Sequence, residues 1–340
     1  QERKAESFVF TPRYCGFEFQ EEHPKRIALT WEESADRKPD DRKPDDQKPV
    51  SQTEERKPAD RKPDAKLQAG FRETACYAYP PPSEDQIGGV YLGTAFAISG
   101  AAASPNMGYH TSPPLAFLMT VFDVRLGWWL GNPRRHDTWQ HSSPGLSLPY
   151  LFYELFATTD DRSQYVYLSD GGHFENLGIY ELVRRQCPYI IACDADADEG
   201  LAFNDLGNAI RKCRSDFGVE IDLRLDTLKP EKDAPYSQAH CVLGDIHYPN
   251  RAEPGKLLYI KASLTGKEPQ DVLAYKVAHP EFPHQTTAEQ WFDESQFESY
   301  RALGRFIVES ALEALGDREE IAKKTTEELF ETLSARYAPS

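Results

Sequence analysis

Residues 165–198 read YVYLSDGGHFENLGIYELVRRQCPYIIACDADAD, and this stretch constrains the fold more than any other. Tyr165, Val166, Tyr167 and Leu168 form a short β-branched and aromatic run that stops at Ser169 and Asp170, so a strand is expected to end where the acid begins. Gly171 and Gly172 let the backbone turn tightly and leave room beside the carboxylate. Phe174, Leu177, Tyr180, Leu182 and Val183 then recur at roughly helical spacing, with Arg184 and Arg185 where a helix C-terminus favours cations. Tyr189 to Cys193 is a second apolar run of strand length. The expectation is a strand, helix, strand unit with Asp170 at the carboxyl end of its first strand, where open α/β sheets place catalytic groups.

Two further blocks accompany this one: ESFVFTPRYCGFEF from residue 6 and LGTAFAISGAAASPNMGYHTSPPLAFL from residue 92. With SDGGHFENLGIYELVRR from residue 169, they resemble the patatin-like phospholipases in bacterial form, over a span from about Glu6 to about Gly304. The resemblance implies a three-layer α/β/α architecture of patatin type, incomplete at its N-terminal side. It also implies that Asp170 is the acid of a Ser/Asp catalytic dyad in a lipid acyl hydrolase. No G-x-S-x-G occurs in the 340 residues, and no glycine-rich loop offers N–H groups to an oxyanion. In the family both elements precede the aspartate block, so they are expected upstream of Gln1 in a longer protein, and the chain by itself is expected to be inactive.

Ser99 and Ser147 are the nearest approaches to a nucleophile motif. A nucleophile elbow needs Gly two residues to either side; Ser99 has Ala97 and Ala101, and Ser147 has Gly145 but Pro149. His173 invites a Ser/His/Asp reading, but a dyad requires no histidine and a polar contact at a helix start suits it better. Glu175 and Asn176 are candidates for orienting the loop by hydrogen bonds to its backbone. Asp194, Asp196 and Asp198 imitate the start of a calcium loop; such a loop needs Gly at its sixth position and a helix before it, whereas Glu199 stands there and a strand precedes. Hydrolysis through a metal at these aspartates is therefore the weakest reading, and no metal or other cofactor is expected. A non-catalytic interaction or scaffold module that kept the fold is the alternative from a different class.

Residues 36–66, DRKPDDRKPDDQKPVSQTEERKPADRKPDAK, are an imperfect repeat with almost nothing apolar to bury, and are read as a disordered insert. Removing the insert leaves 29 Lys and Arg against 46 Asp and Glu, a net charge of −17 where the whole chain has −16. The acidity thus belongs to the folding part, which disfavours nucleic acid as a partner. A lipid or other acyl-ester substrate is the expected partner, with membrane contact needing a local apolar or basic patch. Six scattered cysteines without C-x-x-C spacing predict neither a disulfide framework nor a zinc site.

Residues 1–35 read as the start of the α/β domain, 67–316 as its C-terminal part and 317–340 as an amphipathic helix. Phe8 to Phe10 and the residues after Pro12 predict two short extended pieces. Residues 113–131 are apolar, but Asp123 and Arg125 interrupt them after about nine residues, short of the ~20 that a span needs. Leu115, Leu118, Met119, Phe122, Leu126 and Trp129 fit a core helix face, while Trp128 and Trp129 also suit a lipid-facing rim. A helix is predicted over 206–217, strands over 219–225, 244–248 and 257–261, and a helix opened by a Thr286/Glu289 capping box. No signal peptide is seen, and the expected location is cytoplasmic, or membrane-associated through upstream segments.

Overall fold

The computed structural model describes residues 5–18, 70–79, 88–101, 126–156, 158–232, 234–286, 289 and 291–337. The repeat at 36–66 and the apolar residues 102–125 lie outside these. Helices and strands are mixed along the chain, which places it in the α/β class. The chain divides into two compact units, Gln1–Phe174 and Glu175–Ser340, with the boundary inside the span 67–316 that the sequence groups as one domain. Among the described residues no helix is long and apolar enough to cross a membrane.

In the first unit, β1 (Val9–Phe10) and β2 (Tyr14–Gly16) form a hairpin, and β3 (Phe71–Glu73) adds antiparallel to β2. Thr11 makes the turn: its hydroxyl donates to the Tyr14 carbonyl and accepts from the Tyr14 N–H. After α1 (Leu92–Ser99) comes β4 (Trp128–Gly131), then α2 (Leu148–Leu155) and β5 (Tyr165–Leu168), which pairs antiparallel with β4. Cys15, Phe17, Tyr77, Ile98, Leu130, Val166 and Leu168 close the core of this unit. Trp129 is therefore on a strand, which takes it out of the helical face expected from Leu115 onward; Leu115, Leu118, Met119 and Phe122 lie outside the described residues. Gly127 permits the strand, since a Cβ there would lie 1.9 Å from the Tyr167 hydroxyl of the facing strand.

Gly131 ends β4 at a close approach of three segments. Its N–H donates to His141 (2.9 Å), its carbonyl accepts from the Tyr77 hydroxyl (2.7 Å), and a Cβ would sit 1.7 Å from the Thr138 carbonyl oxygen. Gly131→Ala should cost about 1–3 kcal/mol, because backbone rather than a movable side chain meets the added carbon. An unchanged midpoint in urea would show that the Thr138 turn yields freely.

The second unit opens with α3 (Ile179–Arg184), followed by β6 (Tyr189–Asp194), α4 (Asn204–Phe217) and β7 (Glu220–Asp222). Next are β8 (Cys241–His247), β9 (Gly255–Lys261), α5 (Gln270–Ala278), α6 (Glu294–Leu312), α7 (Arg318–Lys323) and α8 (Thr326–Tyr337). The sheet order is β6-β9-β8-β7; β6 and β9 are parallel, and the other pairs are antiparallel. Leu258, Ile260, Val272, Phe282, Leu303, Ile307, Phe330 and Leu333 share one core, so α5, α6 and α8 cover one face of this sheet.

Three further expectations change. The strand, helix, strand unit is not one sheet: β5 pairs with β4 and β6 pairs with β9. Helix α6 begins at Glu294, capped by Asp293, whose carboxylate accepts from the Gln296 N–H at 2.8 Å; the Glu289 N–H donates to the Thr286 carbonyl at 3.3 Å ahead of that helix. The C-terminal helix is two helices, because Lys324 is extended and each segment has its own capping pair, Asp317 with Glu320 and Thr325 with Glu328.

Candidate functional site

Asp170 follows the last residue of β5, half-buried, with φ −51° and ψ 133°. Its carboxylate Oδ1 accepts from the Gly172 N–H at 2.7 Å, which starts the 3-10 turn Gly171–His173. No other described residue donates to this carboxylate, and the missing Cβ of Gly171 faces open space. The Asp170 N–H reaches the Ala101 carbonyl at 3.4 Å, joining the second residue after α1 to the end of β5. His173 Nδ1 lies 3.1 Å from the Ser169 hydroxyl. Sequence reasoning passed over Ser169, although a serine four residues before a histidine across a tight turn is the available signal.

Of the two residues expected to steady the loop through its backbone, Glu175 binds backbone N–H groups just after it and Asn176 binds carboxylates. Glu175 is buried and grips the start of α3: Oε1 accepts from the Leu177 N–H (2.6 Å) and Oε2 from the Tyr180 N–H (3.1 Å). Burial pushes its carboxyl up, against those two N–H bonds and the nearby Lys212 ammonium. Asn176 holds no backbone group; its amide donates to Asp196 Oδ2 and Asp205 Oδ2, each at 2.9 Å. Gly178, at φ +72°, gives the left-handed step that lets α3 begin.

Ser99 sits in the last turn of α1, and Ser147 precedes α2 at the rim of a cavity of about 400 Å³ lined by Trp128, Trp129, Leu148, Tyr150, Leu151 and Glu154. A nucleophile elbow puts its serine between a strand and the start of a helix, a setting neither residue has. The paired tryptophans point to opposite faces of β4. Trp129 donates its indole N–H to the buried Glu154 carboxylate at 2.7 Å, and Trp128 is exposed, as are Leu126, Leu148 and Phe152.

The carboxyl ends of the parallel strands β6 and β9 carry a different constellation. Lys261, fully buried, donates to Asp194 Oδ1 (2.7 Å) and to the Asp196 carbonyl (3.3 Å), with Asp198 Oδ2 at 4.0 Å. Tyr259 donates its hydroxyl to Asp194 Oδ2, and its pKa is raised, first by burial and then by that hydrogen bond. Asp194 is thus held by a lysine and a phenol, Asp196 by Asn176, and Asp198 by the N–H groups of Ala202 and Phe203. Among the described residues no group of carboxylates, histidines and cysteines is arranged to hold a metal ion.

One more buried cluster has the residue types of a hydrolytic triad. His240 Nδ1 is 3.2 Å from Ser263 Oγ, and its Nε2 is 3.5 Å from Glu268 Oε1. All three are at least nine-tenths buried, and burial pushes the imidazole down. Sealed from solvent, the Ser263 hydroxyl ties the end of β9 to the start of β8 instead of meeting a substrate. Comparison with protein-family models, with curated proteins and with solved structures found no match for this chain.

Proposed function

We propose that the chain is the aspartate-bearing part of a lipid acyl hydrolase of patatin-like, three-layer α/β/α type. In this reading Asp170 accepts the proton of a serine supplied from outside these 340 residues. The hydroxyl attacks a carboxylic ester, an acyl-enzyme forms as the alcohol departs, and water then releases the acid. What carries the reading is the state of the Asp170 carboxylate: one oxygen is fixed by Gly172, and the other is claimed by no described residue. A carboxylate so oriented can take a proton from a hydroxyl brought within hydrogen-bond reach. The exposed apolar side chains of α2 and Trp128 suit contact with acyl chains or a membrane surface.

The scaffold reading has one observation in its favour, since the bond from Gly172 also makes Asp170 an ordinary cap of a short turn. A fluorophosphonate probe separates the two possibilities once the upstream coding region is joined to the chain. The 340 residues alone should not label, and the extended polypeptide should label at an upstream serine. Labelling of the 340 residues that disappears in Ser169→Ala or Ser99→Ala would move the nucleophile into this chain. No labelling in the extended polypeptide would favour the scaffold.

A further inference from the structure

Between β6 and α4, residues 195–203 form a loop over the buried pair of Lys261 and Asp194. The loop is wound tightly on Asp198, whose carboxylate accepts from Ala202 (2.9 Å) and Phe203 (2.8 Å), and two of its non-glycine residues, Leu201 and Phe203, are left-handed at φ 45° and 54°. Such backbone is strained and persists only while its surroundings hold it. One outside support is the ring of His284, whose Nδ1 accepts the Asp198 N–H at 3.3 Å. The same nitrogen is 3.4 Å from the Asp196 carbonyl. It can accept from the first when it carries a lone pair, or donate to the second when it carries a proton, and it cannot do both.

We propose that His284 is a proton-operated latch on residues 195–203: the neutral ring holds the loop closed over Lys261 and Asp194, and the protonated ring releases it. This does not depend on the acyl hydrolase reading. The groups facing the ring are Lys261 from β9, Lys276 from α5, Asp194 from β6 and Asp198 from the loop itself. A proton on Nδ1 ends the 3.3 Å bond from Asp198, leaves the ring only the longer 3.4 Å approach to the Asp196 carbonyl, and adds a third positive charge beside the two lysines, and that added charge is what frees the loop.

Burial, then Lys261, holds the ring at about 4, below its ordinary 6.5, with Lys276 adding to the depression and the two aspartates opposing it. The closed loop therefore binds the proton less well than the open one. Closure is complete above 6.5 and is lost as pH falls toward about 4.

Hydrogen exchange on the whole chain tests this, with amide rates corrected for the intrinsic effect of pH. Protection at the Asp198, Ala202 and Phe203 amides should fall at least about tenfold between neutral pH and pH 4, while amides in the middle of α6 keep theirs. His284→Asn offers a side-chain acceptor without a titrating proton, so the loop should stay protected throughout. Equal loss in α6, no loss in the native chain, or the same loss in His284→Asn would overturn the latch. If that variant does not fold, the native chain still decides: the ring nitrogen shift of His284 and the exchange of the Asp198 amide should share one midpoint, and separate midpoints would sink the proposal.

Discussion

Lys261→Met is expected to destabilise the second unit by about 3–5 kcal/mol, the usual result of removing one partner from a buried ion pair. The loss comes less from the missing attraction than from the Asp194 carboxyl, which at 3% exposure would keep only the Tyr259 hydroxyl and the Asp196 N–H as described partners. Asp194→Asn in the same chain should recover most of the loss. It removes the stranded carboxyl, keeps an oxygen for Tyr259 and leaves methionine to fill the volume of the lysine stem. Urea unfolding followed at several wavelengths gives the comparison. A Lys261→Met midpoint equal to that of the native chain would mean that water reaches Asp194 and that the pair is not sealed.

The other large effect concerns turnover. In a polypeptide carrying the nucleophile, Asp170→Asn should lower kcat by about 10⁴-fold, the upper end for general-base catalysis, since a dyad has no histidine to take over. The substitution keeps an oxygen for the Gly172 N–H, so the turn should survive and KM should change little. His173→Ala is the matched control. It removes the contact with Ser169 and should retain most of the activity. Normal turnover in Asp170→Asn together with a dead His173→Ala would replace the dyad by a histidine mechanism.

How much of this was legible depended on whether the signal was local. The end of β5 at Leu168 and the tight turn after Asp170 follow from side-chain type alone, as does α4, whose apolar stripe of Leu206, Ala209 and Cys213 packs inward. Partner choice did not follow. A run of β-branched residues says that a strand exists but not what lies beside it, so β5 and β6 looked like neighbours although each pairs elsewhere. Trp129 continued a helical spacing that begins at Leu115, and the pairing of β4 with β5 overrode it. The capping pairs of Asp317 with Glu320 and of Thr325 with Glu328 were readable, and the continuous amphipathic pattern across Lys324 hid them. The place of Asp170 at the end of β5 was legible from its block, whereas Lys261 at the end of an apolar strand passed as an ordinary strand terminus.

The pairing of β6 with β9 also bears on the order in which the second unit can form. Asp194 and Lys261 are 67 positions apart, and between them the chain must complete α4, β7 and β8. The β8–β9 hairpin is local and can form early, whereas β6 gains its ladder only after a long loop is closed, the costly kind of contact in folding. On a ribosome the apolar strand of Tyr189 to Asp194 therefore emerges well before the strand that will receive it. In that interval the backbone groups of β6 have no ladder partner, and the arrival of Lys261 completes the strand that supplies one.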